Sequence, residues 1–277
     1  MIKNKLAINQ GTIAQCDTGK FIEVSSEAGF DSVELRIPMV KEYLYYHTSQ
    51  ELKDKLEREE ISVISLNALD GFALIPETNI KIIEQESALV GTLCEMIGCS
   101  LVVAPVSRYN GRSLSRDYIK DTTITRLKRV DEILSDYGVS LGFEPIGFPD
   151  FTVRTIDFSD EIIKDSGIKN MGLVLDIHNL FLSETGPDSF GKAQSPVHII
   201  HINDVEDMPR DHLDVMDNRV LLGEGQANPS NWIKAALDSD YTGPFSLELF
   251  RKEIWNLDPL VAAKQCYNNI KEYLKNL

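Results

Sequence analysis

Four short apolar runs in this chain each close on a residue able to hold a metal or move a proton. Met171-Gly172-Leu173-Val174-Leu175 runs into Asp176-Ile177-His178-Asn179, and Ser140-Leu141-Gly142-Phe143 into Glu144. His198-Ile199-Ile200 ends in His201, and Phe245-Ser246-Leu247 in Glu248. A carboxylate or imidazole closing a buried strand is costly to place there without a partner. Three carboxylates and one imidazole supply that partner to one another through a shared cation. This mostly oxygen donor set suits one divalent ion, Mn²⁺, Mg²⁺, Co²⁺ or Zn²⁺, better than a thiolate-seeking metal. With open coordination positions, such an ion would take a ketone oxygen and a neighbouring hydroxyl and act as a Lewis acid toward an enediolate. Singly, each of the four reads as an ordinary strand-end polar group. Four in consecutive strands read as one site.

Positioning them requires a repeated scaffold. Strand-like runs fall at 6–9, 32–36, 61–69, 100–104, 139–144, 172–176, 197–202 and 244–249. Helical periodicity falls between them at 18–28, 49–59, 80–97, 114–137, 155–166, 230–237 and 260–274, with 180–196 irregular around a short helix and 203–229 a long polar loop. Ser49 is the expected N-cap of the second helix, and Gly138 ends the fourth. No hairpin signal separates these elements, so the sheet is expected to be parallel. Eight strand–helix repeats in 277 residues fit an α/β fold, a (β/α)₈ TIM barrel forming one domain over residues 1–277. Active groups of that fold sit at the C-terminal strand ends, where all four residues stand, on strands five to eight. Side-chain parity agrees. Ser140 and Gly142 share the face of Glu144, Ser246 that of Glu248 and Asn203 that of His201, while His198 points toward the helices.

Hydrophobic residues at 43% and charged residues at 26% are ordinary for a globular chain. A net charge of −15 excludes a protein that grips phosphate backbones. No apolar run reaches membrane-spanning length and no signal region is apparent, so a cytoplasmic protein without nucleic-acid or membrane partners is expected. Cys16, Cys94, Cys99 and Cys266 form no CxxC pair and no disulfide framework, and Cys94 and Cys99, in or beside an apolar helical stretch, read as core packing.

Several segments carry a resemblance. His201-Ile202-Asn203-Asp204-Val205-Glu206-Asp207, the stretch from Asp217 to Gly225, Ser246-Leu247-Glu248-Leu249-Phe250-Arg251, Leu66-Asn67-Ala68-Leu69 and Gly172 to Asp176 look like the bacterial inosose isomerases. These belong to the xylose-isomerase-like sugar-phosphate isomerase/epimerase barrels. The resemblance implies that Glu144, Asp176, His201 and Glu248 bind one divalent metal. It makes Glu144 and Glu248 the catalytic pair that moves protons on either side of the substrate. The family often carries a histidine three residues after the metal aspartate. Here Asn179 holds that place and His178 stands one before it. If the strand continues, His178 shares the face of Asp176 and reaches substrate; a tight turn aims it elsewhere.

Further expected substrate contacts are Arg219, ahead of Gly223-Glu224-Gly225, then Asp150 and Arg154 at the barrel mouth, and Asn67. Glu34 and Arg36 end strand two, where they either orient the far side of a polyol or form a structural ion pair. The Gly-Glu-Gly segment lacks the third glycine and the preceding strand of a dinucleotide fingerprint. The implied activity is metal-dependent isomerisation or epimerisation of a polyhydroxylated ketone, an inosose, as in inositol catabolism, by a protein whose partner is that small molecule. Two alternatives stand beside it: dehydration of a cyclic hydroxy-ketone of the 3-dehydroshikimate type, and sugar binding without catalysis. Oligomerisation with further copies of the chain is left open.

Overall fold

Strand and helix alternate throughout the computed structural model of this protein, which describes residues 3–109, 111, 113–183 and 185–277. Its strands are β1 (Leu6–Asn9), β2 (Ser32–Arg36), β3 (Ser62–Asn67), β4 (Leu101–Pro105), β5 (Ser140–Glu144), β6 (Met171–Asp176), β7 (Val197–Ile202), β8 (Asp204–Val205), β9 (Arg219–Val220) and β10 (Phe245–Leu247). All but β8 and β9 pair in parallel and close into a barrel, with β10 returning to β1. This is the TIM barrel expected from the repeat.

Around it stand α1 (Thr18–Ala28), α2 (Ile37–Tyr46), α3 (Ser49–Arg58), α4 (Ile80–Ile97), α5 (Arg116–Leu134), α6 (Ile156–Ser166), α7 (Ile177–Leu182), α8 (Pro229–Asp238), α9 (Lys252–Trp255) and α10 (Pro259–Lys275). Their starts are written in the sequence as side chains that accept from otherwise orphaned N–H groups. Asp17 caps α1, Ser115 caps α5 and Thr155 caps α6. The cap of α3 is Thr48, one residue before the expected Ser49, in a capping box with Glu51. Gly29 and Gly98 end α1 and α4 in the left-handed conformation that costs glycine little.

Period-two alternation divides the apolar residues into two cores. Leu35, Leu141, Phe143, Leu173, Leu175, Ile200 and Leu247 face outward into the large cluster beneath the helices. Leu101, Val103, Val174 and Ile199 face inward and fill the barrel's lower interior together with Ala68. Gly142 leaves room for that filling, since a Cβ there would lie 2.6 Å from Val174 Cγ2. The layer above it is polar.

Three elements depart from the expected pattern. Helix α2 starts directly after β2, carried by Pro38 in its first turn. The long polar connection after β7 contains the antiparallel hairpin β8–β9, and α9 follows the last barrel strand. No helix among the described residues is long and apolar enough to cross a membrane.

Candidate metal centre

The sheet's register brings the four strand ends to nearly one level. Asp176 pairs with His201, and His201 with Ser246, so Glu248 stands one inward position above the histidine. Glu144 closes β5 beside Pro105. One ligand atom from each of Glu144, Asp176, His201 and Glu248 lies within 4.8 Å of all the others, and all four residues are buried.

The imidazole of His201 is bracketed by carboxylates. Its Nε2 lies 2.9 Å from Glu34 Oε1, and its Nδ1 lies 3.5 Å from Glu144 Oε1 and 3.6 Å from Glu248 Oε2. Glu34 also accepts from Ser246 Oγ at 2.7 Å and Ser65 Oγ at 2.5 Å. A carboxylate accepts only, so it favours the proton on Nε2 and leaves Nδ1 aimed at the other ligands. Outer-shell carboxylates orient metal-binding histidines in this way. Glu34 is therefore neither a polyol contact nor the ion-pair partner of Arg36. Sequence reasoning had no means of finding this role, because the partner lies across the barrel.

The other ligands are held as firmly. Asp176 caps α7, its Oδ1 accepting from Asn179 N at 2.8 Å, while Oδ2 accepts from Asn203 Nδ2 at 2.8 Å. Asn9 Nδ2 donates to Glu248 Oε1 at 3.0 Å. Arg219 Nε lies 3.4 Å from Asp176 Oδ2, and its Nη2 3.7 Å from Glu248 Oε2.

Burial sets the proton affinities, and neighbouring charges then sort them. Burial pushes Glu248 up to about 7, with Glu144 and Asp176 adding to the rise and His201 and Arg219 opposing it. Burial also raises Glu144. Asp176 is penalised by burial too, yet Arg219, the two histidines and the Asn179 N–H hold it below the usual range. Glu34 is driven up by burial but brought to about 2 by His201 and the two serine hydroxyls. Burial works against the charged form of His201, and Glu248, Glu34 and Glu144 raise it regardless. Among the described residues, Glu34, Glu144, Asp176 and Glu248 thus face only His201 and Arg219 as cationic side chains in contact. A divalent cation fits both the ligand spacing and this excess of negative charge.

A cavity of about 370 Å³ opens above the cluster, bordered by Glu144, Glu248, Asn67, Arg219 and Asn179. Three expected contacts lie elsewhere. The chain turns into α7 immediately after Asp176, so His178 leaves the strand's parity. It is fully buried, edge-on to Phe148 at 5.5 Å, and does not border the cavity. Burial, with the charge of Arg219, takes its imidazole down to about 3. Asp150 is half exposed and holds Arg108 at 2.6 Å, and Arg154 Nε donates to Gly147 O at 2.8 Å; neither borders the cavity.

Asp204, passed over in the sequence, organises the approach of Arg219. Its carboxylate accepts from the backbone N–H groups of Val205, Gly223, Gly225 and Ala227 at 2.8–3.1 Å. The loop after β9 is thereby pinned against β8.

The pattern of the xylose isomerase-like TIM barrel matches residues 22–273. The inosose isomerase of Halalkalibacterium halodurans is 32% identical over 94% of this chain and 93% of its own length. That of Bacillus licheniformis is 30% identical over 97% and 95%. The crystal structure of the IolI protein with a bound zinc atom superposes with a TM-score of 0.91, at 26% identity over 98% of both chains.

Proposed function

We propose, from the premise that this chain belongs to the xylose isomerase-like TIM barrel family, that it is a divalent-metal-dependent isomerase of an inosose. Two observations support the substrate class: the relatives that cover nearly the whole chain are inosose isomerases, and the cavity is of a size for one small polyol, with Arg36, Asn67, Asn179 and Arg219 set among apolar side chains. The observation that carries the chemistry is the buried cluster of Glu144, Asp176, His201 and Glu248. A divalent cation bound there supplies Lewis acidity to a ketone and the hydroxyl beside it.

The chain's own residues do the rest. Glu144 and Glu248 both border the cavity, so two carboxylates face the space where the reacting carbons would lie. One removes the carbon-bound proton next to the carbonyl, and the other assists its return at the neighbouring carbon. Asp176 and His201 would hold the cation together with the two glutamates, and Arg219, which borders the cavity from the β9 side, steadies the substrate oxygens. Asn67 contacts the substrate from the opposite wall. We extend the domain over residues 1–277, since the first and last barrel strands pair with one another, and place the protein in the cytoplasm, in keeping with four free cysteines.

Exchange of the α-protons of inososes in D₂O, followed by NMR, tests the reading. The metal-loaded protein should exchange them and release an isomeric ketone without the vinylic signal that loss of water would create. Glu144→Gln should lower exchange by about 10²–10⁴-fold, the usual worth of a positioned acid or base. Near-native exchange in that variant would remove Glu144 from catalysis.

A further inference from the structure

Arg36 and Asn67 are paired neighbours at the ends of β2 and β3, and both border the cavity. Arg36 Nη1 donates to Asn67 Oδ1 at 2.9 Å. A guanidinium offers donors and no acceptor, so this bond decides which way the amide points. Oδ1 is turned to the arginine, and the two N–H donors of Nδ2 are turned away from it. The Arg36 guanidinium also sits 5.3 Å from the centre of the Phe250 ring, which Gly11 accommodates closely: a Cβ on Gly11 would fall 2.3 Å from that ring. Three polar or aromatic side chains thus fix one another along a single wall.

Of the arginines bordering the cavity, Arg219 is already ion-paired with Asp176 and Glu248 beside the reacting carbons, and Arg108 is ion-paired with Asp150. Arg36 forms no ion pair among the described residues, in a chain of net charge −15. Asp70 borders the same cavity outside ion-pair distance of it. We propose that Arg36 and Asn67 form a donor-only subsite that binds an oxygen acceptor on the part of the substrate remote from the reacting carbonyl. The acceptor is a hydroxyl oxygen of a neutral polyol or a carboxylate of an acidic one. The subsite orients the ring above Glu144 and Glu248 and takes no part in proton transfer. Its place in turnover rests on the isomerase reading; its binding chemistry does not.

The test uses the zinc-loaded full-length protein, its Arg36→Met variant, and calorimetric binding of myo-inositol, its monodeoxy and deoxyfluoro derivatives and a cyclic polyol carboxylate. Losing a charge-assisted hydrogen bond should weaken binding about tenfold or more. Arg36→Met should do so for myo-inositol, raise KM for the inosose similarly and leave kcat within about threefold, with zinc content and Tm unchanged. The derivative lacking the contacted hydroxyl should bind weakly to the native protein and lose nothing further in the variant. A larger loss for the carboxylate than for myo-inositol identifies the acceptor as anionic, and a comparable loss identifies a hydroxyl. Asn67→Asp, of nearly the same shape, removes both donors and should reproduce the effect, which keeps the test open if Arg36→Met fails to fold. Unchanged affinity for every ligand in folded variants, or a fall in kcat at constant KM, overturns the subsite. Absence of α-proton exchange by the native protein overturns the isomerase reading instead, and leaves the calorimetric comparison standing.

Discussion

Glu34 shows how a residue without metal contact can govern a metal site. It sits 2.9 Å behind His201, and it also accepts from two serine hydroxyls and from Asn9 Nδ2. Replacement by Gln keeps the shape but removes the charge that favours the Nε2 proton. Glu34→Gln should lower zinc affinity about 10–100-fold, the usual effect of losing an outer-shell partner, in competition against a chelator. An unchanged affinity would mean that the imidazole is held by packing alone. The four residues that cluster here were legible as candidates because each closes an apolar run, and burial makes a strand-end carboxylate conspicuous. Glu34 sits in the middle of β2 and closes no apolar run, and its partner lies on β7 at a distance in sequence that no local pattern encodes. His178 and Asn179 illustrate the opposite failure. Period two predicts faces only while the strand lasts, and Asp176 ends it by capping α7 with its own side chain.

At the scale of elements, the barrel was readable because eight repeats of one period leave few alternatives. The insertions were not. The connection after β7 is polar and rich in turn residues, and its hairpin depends on one buried carboxylate, Asp204, gathering four backbone N–H groups. No hydrophobic periodicity signals such an element. Its dependence on glycine is steep. A Cβ at Gly225 would meet Val205 O at 2.0 Å and Asp204 Oδ1 at 2.8 Å, so the loop has to move. Gly225→Ala should therefore destabilise the protein by about 1–3 kcal/mol, as overpacking commonly does. It should also raise KM more than it lowers kcat, because β9 carries Arg219 while the metal ligands lie on β5, β6, β7 and just beyond β10. A kcat that collapses at unchanged KM would show that the loop reaches the chemistry by another route.

Across the whole molecule, the metal centre ties the two ends of the chain into one titrating unit. The inward carboxylates come from β2, β5, β6 and the end of β10, so their mutual repulsion acts across the closed barrel. Glu248 holds its proton up to about pH 7 in the folded protein, against an ordinary value of 4.5. Between those values the folded state binds more protons than the unfolded state, so this group's contribution to stability falls as pH rises toward and through 7. A bound divalent cation reverses the balance, because it favours the deprotonated carboxylates and binds the native fold in preference to the unfolded chain. The metal-free protein should accordingly lose Tm between pH 5.5 and pH 8, and the rise in Tm on adding zinc should be larger at pH 8. Zinc binding should also release protons, seen as a dependence of calorimetric enthalpy on the ionisation enthalpy of the buffer, and its affinity should weaken as pH falls below about 7. Equal metal-induced shifts at both pH values, with no proton release, would mean that Glu248 is already ionised in the folded protein and that Arg219 and His201 outweigh the cost of its burial.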